Sequence, residues 1–490
     1  MSELRGLALR GGVAKFSARA SEFVLRIGSL MVLARLLEPA DFGLVGMVTV
    51  VTGILSLFKE FGLSLATVQR ATITHEEIST MFWVNIVVGI VLALVSLVLA
   101  PFTAAFYHEP RLYLVLIVLG FGFIFNSAGV QHAALLQRQM RFIDLAIIEV
   151  LSLLISSTIS IVLAIRGYGY WALVAWSVAL PLAGTILTML QSGWVPGRPH
   201  LNPGMKSMVR FGGIVTLNSL VVYIAYNLDK ILLGRFWGVD AVGIYGRAYQ
   251  LATLPTDYIN GATGSIAIPV LSRLQNNPER LRSYFLKGYS LVLALTIPTT
   301  AACAIFSHEL IFVVFGAKWN DAVPIFGLLT PTILAFSLIN PPGWLLVGSG
   351  MVGRSLKIAF VIAPVVILGC VIGLPYGAKG VALGFSAALT LWIVPHLMWS
   401  FHGTVVSFQD VMKVVSRPCI SGAVAAVCAL GTTSLVNPGI SPLMTLLVGG
   451  AVLVAVYVWM LLFVMGQKTF YLNLLRDLKN TPSEKINALS

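Results

Sequence analysis

The chain runs to 490 residues, of which 58% are hydrophobic and only 10% charged, with a formal net charge of +13 and a mean hydropathy of +0.91. Soluble domains carry about 25% charged residues, so this composition cannot build an aqueous surface, and the length is read as one integral membrane domain rather than several soluble ones. The positive excess would point to nucleic acid on a soluble protein; here it is read as a topology signal, and nucleic acid is set aside as a partner.

The opening stretch MSELRGLALRGGVAKFSARASEF is interrupted by basic residues and has no short apolar core before a small-residue cleavage site. The first hydrophobic segment is therefore expected to stay as a membrane helix. A helix needs about 20 mostly apolar residues to cross the hydrocarbon core. Fourteen such segments are predicted, at 14–37, 42–65, 79–105, 112–136, 142–165, 169–192, 210–234, 241–270, 283–306, 322–347, 355–375, 379–401, 416–436 and 442–466. The expected fold is all-α: an N-terminal six-helix lobe (1–193), a linker (194–209), a C-terminal six-helix lobe (210–402), then two additional helices and a tail (403–490). The loops are short, which leaves no room for an extramembrane catalytic domain.

Of the 32 basic residues, 24 fall on one side of these spans, from the N-terminal group through Arg138, Arg141, Arg282 and Arg417 to Lys485. The opposite loops hold six: Arg35, Arg111, Arg166, Arg235, Lys318 and Lys379. By the positive-inside tendency both termini are expected to be cytoplasmic. The four cysteines, Cys303, Cys370, Cys419 and Cys428, form no CxxC pair and are read as small buried hydrophobes rather than a disulfide or zinc framework. The seven histidines form no HxxxH or HExxH pattern, so no metal or other cofactor is expected.

An internal repeat is visible. A shift of 200 residues places Leu33-Ala34-Arg35 on Leu233-Gly234-Arg235 and Gly43-Leu44-Val45-Gly46 on Gly243-Ile244-Tyr245-Gly246. A shift of 210 places Gly167 on Gly377 and Trp171-Ala172-Leu173 on Val381-Ala382-Leu383. Two six-helix halves entering from the same side would be related by an axis along the membrane normal, as in some secondary transporters with a central cavity.

The stretch Leu33-Ala34-Arg35-Leu36-Leu37-Glu38-Pro39-Ala40-Asp41-Phe42-Gly43-Leu44 resembles the LARLLGPxDFGL signature of the polysaccharide-transport family. These are the Wzx-type oligosaccharide flippases and exporters of the multidrug/oligosaccharidyl-lipid/polysaccharide superfamily. Phe61-Gly62-Leu63 leading to Val68-Gln69-Arg70, the Gln137-to-Phe142 turn and the Gly167-to-Leu173 hairpin are further matches; Glu38 departs from the usual Gly. The resemblance implies a flippase of the bacterial inner membrane that moves an undecaprenyl-pyrophosphate glycan to the outer leaflet by alternating access. It also implies membrane lipid as a partner and contact with the polysaccharide polymerase machinery. Pro39 and Gly43 are expected to shape a tight hairpin and Asp41 to cap the second span.

Ionisable groups inside spans are costly and mark candidate cavities. Span 1 carries Arg19, Glu22 and Arg26 on one face; span 2 adds Lys59 and Glu60; span 7 presents Tyr223, Tyr226, Asn227 and Lys230 with Asp229 beside them; span 8 carries Arg247, Gln250 and Asp257. Arg19, Arg26, Lys59, Lys230 and Arg247 are read as a cationic lining that attracts a pyrophosphate or an acidic sugar, since a guanidinium fork suits phosphate oxygens. Glu22, Asp229 and Asp257 are candidates for proton or Na⁺ coupling, or simply for ion pairs. Snorkelling to the interface is the alternative for Arg19 and Lys59. A drug/cation antiporter on the same fold would favour an acidic cavity, and a membrane polymerase would need a larger outer loop with paired acids.

Overall fold

A computed structural model describes residues 21–59, 67–68, 73–199, 205–435 and 441–473. Among these, the apolar runs form α1 (21–36), α2 (Pro39–Ser56), α3 (His75–Tyr107), α4 (Arg111–Arg138), α5 (Phe142–Ile165), α6 (Trp171–Ser192) and a continuous helical stretch, Met205–Arg273. Gly238, at φ 79° and ψ −168°, breaks that stretch into α7 (205–237) and α8 (239–273). The remainder comprises α9 (Pro278–Ile305), the short α10 (Ser307–Val314), α11 (Ala322–Gly348), α12 (Val352–Gly373), α13 (Gly377–Phe401), α14 (Phe408–Leu435) and α15 (Pro442–Trp459), which ends in a π-helical turn. With α10 set aside, fourteen helices correspond one for one to the predicted spans.

Three local expectations are corrected. The predicted loop between the seventh and eighth spans is a single left-handed glycine, because only that residue needs to leave the helix for the chain to turn. The predicted loop before α11 is structured, containing α10 and a 3₁₀ turn at Ala317–Trp319. Glu38 is the N-cap of α2 and Pro39 its first residue; Asp41 acts from the third position, where Oδ2 accepts the Glu38 backbone N–H at 3.0 Å. Of the four cysteines, Cys303 and Cys370 are buried, Cys419 is half-buried and Cys428 is exposed. An apolar thiol on a membrane helix has no need to face inward, since lipid is as apolar as the core.

The chain divides into two compact units, Met1–Gly246 with Val314–Lys318, and Arg247–Val313 with Trp319–Ser490. In the first, α3 packs on α4, α4 on α6 and α5 on α6 through small residues. Gly89 lies against Ser127 and Gly129 against Thr185, whose hydroxyl donates to the Phe125 carbonyl at 2.6 Å. Lys318 Nζ reaches Glu38 Oε1 at 2.6 Å and ties Val314–Lys318 to this unit. The start of the 193–199 segment is held on α3: Trp194 Nε1 donates to His75 Nδ1 at 3.0 Å, and the Gly197 N–H donates to Ser79 Oγ at 2.9 Å.

In the second unit, α12 and α13 cross backbone to backbone over two GxxxG pairs. A Cβ on Gly384 would lie 2.0 Å from the Gly369 carbonyl oxygen, and one on Gly373 would lie 2.0 Å from that of Gly380. Gly373→Leu or Gly384→Leu is therefore expected to destabilise the protein by about 3 kcal/mol or more, the upper end of overpacking costs, because the obstacle is main chain and cannot rotate away. Recovery of monodisperse protein after a temperature ramp measures this. The core of the unit joins Phe285 and Tyr289 of α9, Leu338 and Leu345 of α11, Val411 and Ala425 of α14, and Leu453 and Tyr457 of α15. The last two helices are thus built into the core rather than appended to it: Ile297 of α9 sits against Gly422, and Phe306 against Gly449.

The repeat has a physical counterpart. Gly167 and Gly377, matched by the 210-residue shift, both adopt positive φ, +81° and +68°, at the turns that lead into α6 and α13. The pair matched by the 200-residue shift meets face to face: a Cβ on Gly43 would lie 1.9 Å from the Val239 carbonyl oxygen, and one on Gly243 would lie 1.9 Å from that of Pro39. Gly43 thus serves the approach of α8 to α2 rather than the shape of a hairpin.

Candidate functional site

The i, i+4 spacing on α1 brings Glu22 and Arg26 together. Arg26 Nε donates to Glu22 Oε1 at 3.0 Å, with a terminal guanidinium nitrogen 2.9 Å from the same oxygen. The pair lines a cleft of about 710 Å³ bounded by α1, α4, α5 and α6, whose wall also carries Asn126, Gln137, Glu149 and Thr188. The Arg26 side chain is 52% exposed and Glu22 only 13%. Glu22 is tucked in and orients a guanidinium that still presents N–H groups to the cleft, the arrangement needed to receive an anion without losing the internal partner.

A second polar group sits where α7 meets α2 and the start of α8. The Tyr223 hydroxyl lies where a Cβ on Gly53 would be, 1.8 Å away, and points to the Thr49 carbonyl oxygen at 3.5 Å. Below it on the same face, Asn227 Nδ2 donates to the Tyr223 carbonyl oxygen at 2.9 Å, and Lys230 Nζ donates to Asn227 Oδ1 at 3.0 Å. Asp229, 1% exposed, accepts from the Tyr245 hydroxyl through Oδ2 at 2.7 Å and from the Lys230 backbone N–H through Oδ1 at 2.8 Å. Tyr245 is itself fully buried.

The other candidates are distributed as follows. Lys59 is half-buried in the turn that closes α2. Arg247 and Asp257 belong to the second unit; Arg247 donates to Gln250 one turn on, and Asp257 is exposed. Arg19, Glu60 and the Phe61-Gly62-Leu63 motif lie outside the described residues. The cleft around Arg26 does not include Lys59 or Lys230 in its lining. It does include Glu149, which sequence reasoning passed over, although an acid in the middle of the apolar α5 is the same signal that singled out Glu22.

Among the described residues, ten helical stretches are long and apolar enough to cross a membrane, which defines a multi-pass membrane protein with a polar cleft among its helices. Residues 32–324 match the polysaccharide biosynthesis protein family, and the chain belongs to that family. It is 29% identical over 385 residues to the lipopolysaccharide biosynthesis protein WzxC of Escherichia coli K12, covering 76% of this chain and 77% of that one. It is 28% identical over 414 residues to the teichuronic acid biosynthesis protein TuaB of Bacillus subtilis 168, covering 76% and 83%. Among solved structures, the lipid II flippase MurJ in an inward closed conformation superposes with a TM-score of 0.74 at 14% identity, over 95% of this chain and all of that one. An inward-facing multidrug resistance transporter of the MATE family gives 0.63 at 15% identity, over 82% and 98%. These two likenesses establish the fold.

Proposed function

We propose that this protein is a flippase that carries a lipid-linked oligosaccharide across the bacterial inner membrane by alternating access, supplying surface polysaccharide biosynthesis. The observation that carries the reading is the Arg26 cleft: an oriented, half-exposed guanidinium within a helical wall, in a chain whose relatives across three quarters of its length are named for polysaccharide biosynthesis. The phosphate-rich head of a lipid-linked glycan is the substrate chemistry such a group recognises. Arg19, Lys59, Lys230 and Arg247 are assigned to the same anion path, and the orientation that follows from the basic residues puts both termini in the cytoplasm. The two six-helix lobes at 1–193 and 210–402, joined by the 194–209 linker, are the moving halves in this reading. It is a carrier rather than an enzyme.

Of the three acids considered for ion coupling, Glu22, which lines the cleft, and the exposed Asp257 are the proposed proton or Na⁺ sites, whereas both oxygens of Asp229 already accept hydrogen bonds. Docking to the polymerase machinery completes the proposal. Flipping of a fluorescent undecaprenyl-pyrophosphate oligosaccharide in proteoliposomes tests it. Arg26→Ala is expected to slow flipping at least tenfold at unchanged protein level, with Arg26→Lys intermediate because it keeps the charge but loses the fork. Normal rates in both Arg26→Ala and Arg247→Ala would refute the cationic path.

A further inference from the structure

The second unit holds a cleft of about 370 Å³ at the end where α9 and α14 begin and α15 finishes, apart from the residues assigned to transport. Lys287 of α9 lines one wall, and Lys413 and Arg417, one turn apart on α14, line the other. Beneath them Leu286, Val414 and Leu461 form an apolar floor. Asp410 is the one acid among the lining residues, and its charge is already matched. Arg282 binds it through two nitrogens, Nε at 2.9 Å and a terminal nitrogen at 2.5 Å, and the Ser407 backbone N–H adds a third bond at 3.0 Å. That bidentate pair also joins α9 to α14, so the two walls that carry the cations are fastened to each other. Ser290 and Tyr471, 2.9 Å apart, tie the segment after α15 to α9 and close the inner end.

The depth fits a membrane interface. Both α9 and α14 have 28 residues, about 42 Å at about 1.5 Å per residue, against a hydrocarbon core of about 30 Å. Lys287 and Arg417 each occupy the tenth position of their helices, about 14 Å from the start, from which long cationic side chains reach the headgroup layer. A basic pocket between helices over an apolar floor has the chemistry of a lipid headgroup site. We propose that this cleft binds the phosphoryl headgroup of an anionic phospholipid, with an acyl chain along Leu461 and Val414. The site is independent of the transport reading, since its occupant is a resident lipid and not the cargo.

The test is native mass spectrometry of the full-length protein from nanodiscs containing equal parts phosphatidylglycerol and phosphatidylcholine, scoring lipid that survives detergent stripping. The wild type is expected to retain phosphatidylglycerol at least tenfold over phosphatidylcholine. Lys413→Ala/Arg417→Ala, which alters two exposed side chains, is expected to lose that preference. Lys357→Gln/Lys379→Gln, two exposed lysines outside the cleft, is expected to keep it. Equal retention of the two lipids by the wild type, or an unchanged preference in the Lys413/Arg417 variant, would overturn the proposal. So would retention of added undecaprenyl phosphate in place of phosphatidylglycerol, which would give the site to the carrier lipid. None of these readouts depends on flipping, so failure here and failure of the transport reading are distinguishable.

Discussion

Gly43→Val and Gly243→Val are each expected to prevent recovery of folded protein from the membrane. A Cβ at either position would lie 1.9 Å from a main-chain carbonyl oxygen of the opposing helix, Val239 for Gly43 and Pro39 for Gly243. Side-chain obstacles can change rotamer; a helical carbonyl cannot move without unwinding its own turn, so the helices must separate. The cost is placed at about 3 kcal/mol or more, the top of the range for overpacking, and that is a large share of a total stability of about 5–15 kcal/mol. Even alanine is expected to be harmful at both sites. Gly246→Ala is the contrast: nothing lies within 4 Å of its Cβ, and replacing a helical glycine gains up to about 1 kcal/mol of helix propensity. Size-exclusion profiles and thermal unfolding of the three variants in one detergent separate these outcomes.

The same pair shows what sequence can and cannot display. The 200-residue shift that aligns Gly43 with Gly243 also aligns Pro39 with Val239, so the match was visible as a pattern. What made it a contact was invisible, because a glycine in an apolar run does not name the backbone opposite it. Span positions were legible for a simpler reason: about 20 apolar residues are required to cross the bilayer wherever they pack. Turns were less so. Gly238 lets one residue do the work of a loop, while the stretch before α11 coils into α10 and a 3₁₀ turn.

At the candidate site, the Glu22–Arg26 pair followed from i, i+4 spacing alone. The cleft did not, because its wall draws on α4, α5 and α6, whose polar residues are spread over sixty positions. The partner of Asp229 was within reach. Asp229 and Tyr245 lie nine and seven residues from Gly238, nearly equal distances down the two arms of the hairpin, so a turn placed at that glycine brings them to the same height. Lys230, adjacent in sequence, bonds through its ammonium to Asn227 and through its backbone N–H to Asp229.

Asp229→Asn is expected to keep the fold and flip substrate within about threefold of the wild type, whereas Asp229→Leu is expected to lose folded protein. The asparagine side-chain oxygen can accept from the Lys230 backbone N–H while its amide nitrogen donates to the Tyr245 hydroxyl oxygen, so the pin across the α7–α8 hairpin survives removal of the charge. Leucine offers no acceptor and leaves a fully buried tyrosine hydroxyl without this partner, at about 1–3 kcal/mol, with the hairpin no longer fastened at that height. Tyr245→Phe removes the same bond from the other side, and because the two residues form one interaction, the double variant with Asp229→Leu is expected to cost less than the sum of the singles. The pattern separates the two roles open to this acid. Coupling to a proton or Na⁺ would require the carboxylate itself, so a stable Asp229→Asn protein with flipping abolished would make Asp229 a coupling residue and displace the pin. Flipping rates in proteoliposomes, normalised to folded protein, decide between them.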